Sequence, residues 1–253
     1  MIIKNQRELE ILREGGKKLA AILNEVSRRA ISGVSARELD DLAEKLILKA
    51  GGAPSFKNYK VRGAPIPYPG SLCVSINDEI VHGLPTNKAL KAGDVVGLDI
   101  GMQYEGFFTD TAMTVLVGGG SNKLIDATKK ALDIGITQVR SGAHIGDIGY
   151  AIQQFLEKEN FGVVRELVGH GVGRAVHEDP EIPNWGKSGT GPKLVEGMII
   201  ALEPMATENG PHAPKIKLSK DGWTWLTKDG SRSAHFEHTV VVTKNGAEIL
   251  SQT

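Results

Sequence analysis

The order of secondary-structure signals along this chain runs through the same cycle twice, two helices followed by a set of strands. Asn5 is placed to cap a helix that carries Leu9, Leu12, Leu19, Ile22, Leu23, Val26 and Ile31 on one apolar stripe, with Gly15-Gly16 weakening its middle. Ser35-Ala-Arg-Glu38 is a capping box, in which the hydroxyl and the carboxylate satisfy each other's free amides. It opens a second helix through Leu39, Leu42, Leu46 and Ile47 that Gly51-Gly52 stops. Residues 53–70 hold Pro54, Pro65, Pro67 and Pro69 and read as a loop over the surface or a cleft. Strand signals follow at 72–76, 80–82, 95–102 and 107–117. Helices are then expected over 122–140 and 145–160, and strands at 163–168, 198–203, 216–218, 223–227 and 235–242. Gly118-Gly-Gly120 lacks the lysine and hydroxyl pattern of a phosphate loop and reads as a turn between the halves. A repeat of this kind, with no low-complexity linker inside it, predicts an α+β fold. Two related halves share one core, and four helices cover one face of a sheet. Its 253 residues are expected to form a single domain over 1–253.

Composition narrows the function. Lys plus Arg is 30 and Asp plus Glu is 30. Zero net charge argues against a duplex-binding protein, whose affinity comes mainly from phosphate neutralisation, so no direct nucleic-acid partner is expected. Cys73 is the sole cysteine, which forbids an internal disulfide and points to a reducing compartment. The first ten residues are charged and lack a signal peptide's apolar stretch, and no apolar run is long enough to cross a bilayer. The expectation is a soluble, cytoplasmic protein with no membrane partner.

The chemistry gathers at the ends of the strands. Val95–Asp110 reads as a hairpin turning at Gln103–Gly106. A turn centred between Tyr104 and Glu105 would set Asp99 opposite Asp110, about 4.5–5.5 Å apart between Cβ atoms. Like charges so close among apolar neighbours are unfavourable unless a cation lies between them. The second half adds His170 in Gly169-His-Gly171, Glu203 at the end of an apolar run, and Glu237 in His235-Phe-Glu-His-Thr239. Four carboxylates and one neutral imidazole balance two divalent cations. Oxygen-rich ligation with one imidazole suits Mn, Fe, Co or Zn better than a thiolate-loving ion. Two such ions can activate water and clamp a hydrolytic transition state.

Leu98-Asp99-Ile100, Thr109-Asp110-Thr111, Gly169-His170-Gly171-Val172-Gly173, Leu202-Glu203-Pro204-Met205 and Phe236-Glu237-His238-Thr239 together resemble the five ligand motifs of the type I methionine aminopeptidases, in order and over nearly the whole chain. The resemblance implies the pita-bread α+β fold, with two pseudo-symmetric halves around a curved antiparallel sheet. It implies that Asp99 chelates one metal, that His170 and Glu203 hold the other, and that Asp110 and Glu237 bridge them. Glu203 would also move the water's proton, and a substrate's free amine would approach on the Asp99 side. His82 would lie near the scissile amide and His177 near its carbonyl oxygen. Tyr68, Cys73, Trp223 and Val176 would line a methionine pocket. Val176 stands where the family usually has Phe, and the 56–67 loop is longer than the family's usual version. Asn77 and Ser233 match a monovalent-cation site of some relatives.

The implied activity is removal of the N-terminal methionine from nascent polypeptides at the ribosome, by a monomer, when the second residue is small. The 34 residues from Glu203 to Glu237 leave no room for the type II helical insertion. The absence of an N-terminal zinc-binding extension gives a bacterial look. The alternatives are a proline-specific aminopeptidase of the same fold, whose extra N-terminal domain would find no space before Asp99, and a non-catalytic peptide-binding relative, which would have lost ligands that this chain keeps.

Overall fold

The computed structural model describes residues 1–61 and 63–253. The elements are α1 (Gln6–Arg29), α2 (Ala36–Lys49), β1 (Ala53–Pro54), β2 (Leu72–Ile76), β3 (Glu79–Val81), β4 (Val95–Tyr104), β5 (Phe107–Leu116), α3 (Lys123–Thr137), α4 (Ile145–Lys158), β6 (Gly162–Val163), β7 (Gly169–Gly171), β8 (Glu178–Ile182), β9 (Ile199–Leu202), β10 (Met205–Thr207), β11 (Ile216–Leu218), β12 (Trp225–Thr227), β13 (Ser233–His235), β14 (Glu237–Val242) and β15 (Ala247–Ile249). The helix starts follow their caps. The Asn5 side chain accepts from Glu8 N, and Ser35 and Glu38 satisfy each other's amides.

Nine strands form one antiparallel sheet along the path β1-β4-β5-β14-β9-β7-β8, with β2 paired to β4 and β15 to β14. The two halves meet where β5 runs against β14, Thr111 opposite His238 and Ala112 opposite Glu237. Strand alternation divides the sheet's faces. Val96, Leu98, Ile100 and Met102 of β4 pack with Leu72, Val74 and Ile76 under α1 and α2. Ile200, Leu202, Val240 and Val242 pack under α3 and α4. The four helices therefore cover one face, and the intervening residues, Cys73 and Asp99 among them, turn to the other. The Gly15-Gly16 pair inside α1 has a packing cause. A Cβ on Gly16 would lie 2.4 Å from the Leu250 carbonyl oxygen, so the C-terminal segment crosses the helix this closely only because residue 16 is glycine.

Several sequence expectations give way to tertiary contacts. Helix α1 ends at Arg29, and Ile31 is exposed beyond it. The strand expected over 163–168 covers only Gly162–Val163, after which the chain leaves to start β7 at Gly169. Strand β8 carried no apolar signal because its residues are largely half-exposed. The strand expected from Trp223 starts at Trp225, since the amides of Trp223 and Thr224 both donate to Asp221 Oδ1 in a turn. The single strand expected over 235–242 breaks at Phe236 because β13 pairs with β10 in a separate small sheet. Pro54 lies in a two-residue strand against Gln103 and Met102 rather than in open loop. Among the described residues no helix is long and apolar enough to cross a membrane.

Candidate metal centre

The Asp99–Asp110 hairpin forms, but in a different register. Its turn residues Glu105 and Gly106 both have positive φ, 45° and 85°, the conformation that matches a two-residue turn to the twist of its strands. Tyr104 therefore pairs with Phe107, Asp99 faces Ala112 and Asp110 faces Gly101. The expected direct opposition of Asp99 and Asp110 is corrected to a diagonal one. Both side chains stay on the same face, because the pairing moves by two residues rather than one.

Asp110 is fixed by strand-to-strand stitching. Its amide donates to Thr239 Oγ1 at 2.9 Å, and that hydroxyl donates to the Asp110 carbonyl at 2.8 Å. The Thr111 hydroxyl donates to the Glu237 carbonyl at 2.9 Å. Two threonines thus hold the backbones carrying Asp110 and Glu237 side by side. His170 sits between glycines because a Cβ at Gly169 would meet Ala201 O at 2.4 Å and one at Gly171 would meet Asp179 O at 2.3 Å. Its Nδ1 lies 2.9 Å from Gly171 O. A carbonyl only accepts, so Nδ1 carries a proton and Nε2 is the ring nitrogen turned to the site, where it can ligate a cation.

Ligand atoms of Asp110, His170 and Glu237 all lie within 4.8 Å of one another. Glu203 Oε1 is 3.5 Å from His170 Nε2, and Asp99 shares the same cavity. Asp99 Oδ1 and Glu237 Oε1 are buried with no hydrogen-bond partner. Orphaned carboxylate oxygens around a bare imidazole nitrogen suit a divalent cation in donor type and in charge. The protein alone cannot hold all this charge comfortably. Burial and the neighbouring Asp99 charge push Asp110 well above the carboxylate range, and burial with Asp110 does the same to Glu237. Burial, reinforced by the charge of Glu203, lifts Asp99 to about 7. Glu203 departs downward: burial would raise it, but the His235 ring beside it, the largest opposing influence, holds it below the usual carboxylate range.

These shifts give a signed pH dependence. Asp99 has a folded-state pKa near 7 against an unfolded value near 3.8, so its neutral form favours the fold. The metal-free protein therefore loses that stability as pH rises through about 7. A cation needs the ionised form and must displace the proton, so its affinity rises over the same interval. Calorimetry with and without Mn²⁺ should show a larger gain in Tm at pH 8 than at pH 6. Equal gains would show that the carboxylates are already ionised without metal.

Three further groups surround the cluster. His82 follows β3 with φ of 57°, a left-handed backbone that aims its ring into the cavity. Burial lowers His82 and His177 to about 4, so both are neutral near pH 7. His177 packs edge-on against His170 with ring centroids 4.4 Å apart, and its Nδ1 lies 3.0 Å from the Tyr59 hydroxyl. Tyr68, Cys73 and Trp223 line a cavity of about 120 Å³ beside the cluster, together with Phe56, Tyr59 and Val61. That is about ten times what one water needs, enough for a side chain. Cys73 is buried, and its thiol is held well above its ordinary pKa by burial and the charge of Asp99, so it packs rather than reacts.

Val176 is buried against Phe56, Tyr68, Cys73 and Trp223 but is not one of the cavity-lining residues. Phe56 and Tyr59 of the long loop occupy that wall. Val176→Phe is therefore expected to overpack the wall, at about 1–3 kcal/mol, and to lower kcat/KM for methionyl peptides. A rise in kcat/KM would show that space was free. Asn77 and Ser233 meet, with the Ser233 hydroxyl 3.4 Å from Asn77 O. The Asn77 amide group bonds Asp94 and Val95, and the Ser233 hydroxyl donates to Glu79 O at 2.9 Å.

The sequence gives no signal of a role for Thr111 or Thr239, and none that sets Tyr59 against His177. His235 had the one usable signal, an ionisable group two residues before Glu237.

Comparison with known proteins agrees with this arrangement. The profile of metallopeptidase family M24 matches residues 10–244. Methionine aminopeptidase 1 of Bacillus subtilis is 42% identical over 255 residues, covering 100% of this chain and 99% of that protein. The methionine aminopeptidase of Aquifex aeolicus is 43% identical over 254 residues, covering 98% and 97%. The solved methionine aminopeptidase of Thermotoga maritima superposes with a TM-score of 0.93 at 41% identity over all of both chains. Prolidase from Pyrococcus furiosus shares the fold, with a TM-score of 0.76 at 21% identity over all of this chain and 66% of that one. With its carboxylates and His170 gathered on the open face of this sheet, the chain belongs to metallopeptidase family M24, within the methionine aminopeptidases.

Proposed function

We propose that the chain is a metal-dependent aminopeptidase that removes N-terminal methionine from polypeptides with a small second residue. The observation that carries this is a meeting of two cavities at the carboxylate cluster. One is the smaller, largely apolar cavity of Tyr68, Cys73 and Trp223, and the other a larger groove of about 680 Å³ that shares His82, His170, His177 and Glu203 with it. A slot sized for one side chain, opening into a groove where a polypeptide can continue, suits an enzyme that removes one terminal residue. Relatives named methionine aminopeptidase, at about 42% identity over the full chain, support the choice of residue.

Asp99 would hold one divalent ion, His170 and Glu203 a second, and Asp110 and Glu237 both. The ions, of the Co, Mn, Fe or Zn type, would supply Lewis acidity and lower the pKa of water. The residues do the rest. The slot orients the methionine side chain so that the free amine lies toward Asp99. His82 and His177, kept neutral, each offer one N–H to the scissile group, and His177 faces the carbonyl oxygen as charge develops on it. Glu203, kept ionised, takes the attacking water's proton and returns it to the departing amine. We further propose that all 253 residues act as one monomeric catalytic domain in the cytoplasm, on nascent chains at the ribosome. The lone buried cysteine supports a reducing compartment.

The deciding test is a metal-titrated assay on Met-Ala-Ser, Ala-Pro and leucyl peptides after chelation. Cleavage of Met-Ala-Ser alone should vanish in EDTA and return with Co²⁺ or Mn²⁺. Preference for Ala-Pro would favour the proline-specific reading, and full activity without metal would overturn both.

A further inference from the structure

His235 is 3% exposed, and its backbone is pinned on two sides. Its amide donates to Thr114 Oγ1 at 2.9 Å while the Thr114 hydroxyl donates to its carbonyl at 2.8 Å, and β13 pairs it with Met205. This fixed ring aims Nε2 at Glu203 Oε2 from 3.3 Å, yet Nε2 has no well-directed hydrogen bond, a buried polar atom that the proposed reaction does not use. The other oxygen of Glu203 faces His170 Nε2 at 3.5 Å. His170 carries a proton on Nδ1 and would ligate through Nε2, so a cation suits the space between Nε2 and Oε1. If His235 Nε2 were bare, Glu203 Oε2 would face a lone pair and no donor, which is electrostatically unfavourable. The proton must therefore sit on His235 Nε2. A donor contact that is long before ligands bind commonly tightens when they do.

The geometry points to His235 as a positioning residue whose Nε2–H holds Glu203 Oε2, leaving Oε1 to the cation that His170 binds. This rests on the reading of Glu203 given above. A partner one step outside the ligands fixes ligand orientation, and its loss costs about 10–100-fold in metal affinity or activity.

The test compares His235→Leu, His235→Gln and Glu203→Gln with the wild type. The readouts are Mn²⁺ titration calorimetry, kcat and KM for a methionyl peptide, and ¹⁵N NMR of the histidine rings. His235→Leu should lower kcat and Mn²⁺ affinity by about tenfold or more with KM nearly unchanged. His235→Gln, which restores an N–H donor, should recover most of both. The wild-type ¹⁵N spectrum should show His235 protonated at Nε2. Wild-type behaviour of the Leu variant, a Gln variant no better than Leu, or a bare Nε2 would each overturn the assignment. If Glu203→Gln keeps full Mn²⁺ affinity and kcat, the role of Glu203 fails instead, and the ¹⁵N spectrum still decides where the His235 proton lies. The NMR and the near-isosteric Gln variant remain informative even if the Leu variant does not fold.

Discussion

Glu237→Ala and Asp110→Ala are expected to lose bound metal and about a thousandfold or more of kcat, since the lost transition-state stabilisation is several kcal/mol. Both residues would ligate both ions, so neither site should fill normally once one of them is gone. Metal content by emission spectroscopy should fall together with activity. Removing the charge while keeping the side-chain volume carries an opposite expectation for the metal-free fold. Glu237 is buried beside Asp110 and Asp99, with its pKa pushed well up by burial first and Asp110 second. Removing it relieves a site shaped for cations, so the metal-free Glu237→Gln variant should melt no lower than metal-free wild type at pH 8. A functional site that costs stability when empty is a general consequence of concentrating like charge. Retention of metal and activity by either alanine variant would remove the bridging role from that residue.

The second large effect concerns His177. Its substitution by Ala should leave metal content intact and lower kcat by about 10²–10³-fold, the measured range for losing one oxyanion donor. The ring is placed by Tyr59, 3.0 Å from Nδ1, and by the edge of His170. A hydroxyl donating to Nδ1 leaves the remaining proton on Nε2, the nitrogen free to meet substrate. Tyr59→Phe should therefore reproduce part of the His177→Ala loss in kcat. His82→Ala should likewise retain metal. Loss of metal from either histidine variant would make that histidine a ligand and remove its role beside the carbonyl.

Local chemistry was legible in the sequence wherever neighbours in the chain decide the outcome. Asn5 and the Ser35–Glu38 box start their helices because caps act over three residues. Apolar periodicity placed α3 and α4 to within three residues of their ends. Asp99, Asp110, His170, Glu203 and Glu237 stood out because ionisable groups rarely end apolar strands without a partner, and the structure brings them around one cavity. The hairpin pairing lies two residues from the one expected because the left-handed conformation of Glu105 is not written in its residue type. The placement of both aspartates on one face survived, because strand alternation depends only on odd and even spacing.

Short-range chemistry along the chain thus set the repeated helix–strand order, the helix caps and the charged residues at the strand ends. Which of them meet follows from tertiary contacts, because the bonds concerned join segments far apart in the chain. Thr239 reaches Asp110 across 129 positions and Tyr59 reaches His177 across 118. His235 comes beside Glu203 through pairing of β13 with β10, after β13 separates from β14 at Phe236. Filling of the Val176 wall by Phe56 depends on where a loop folds back. Local propensity acts over a few residues, whereas these placements follow from burial and strand pairing that exist only once both halves have closed on one sheet.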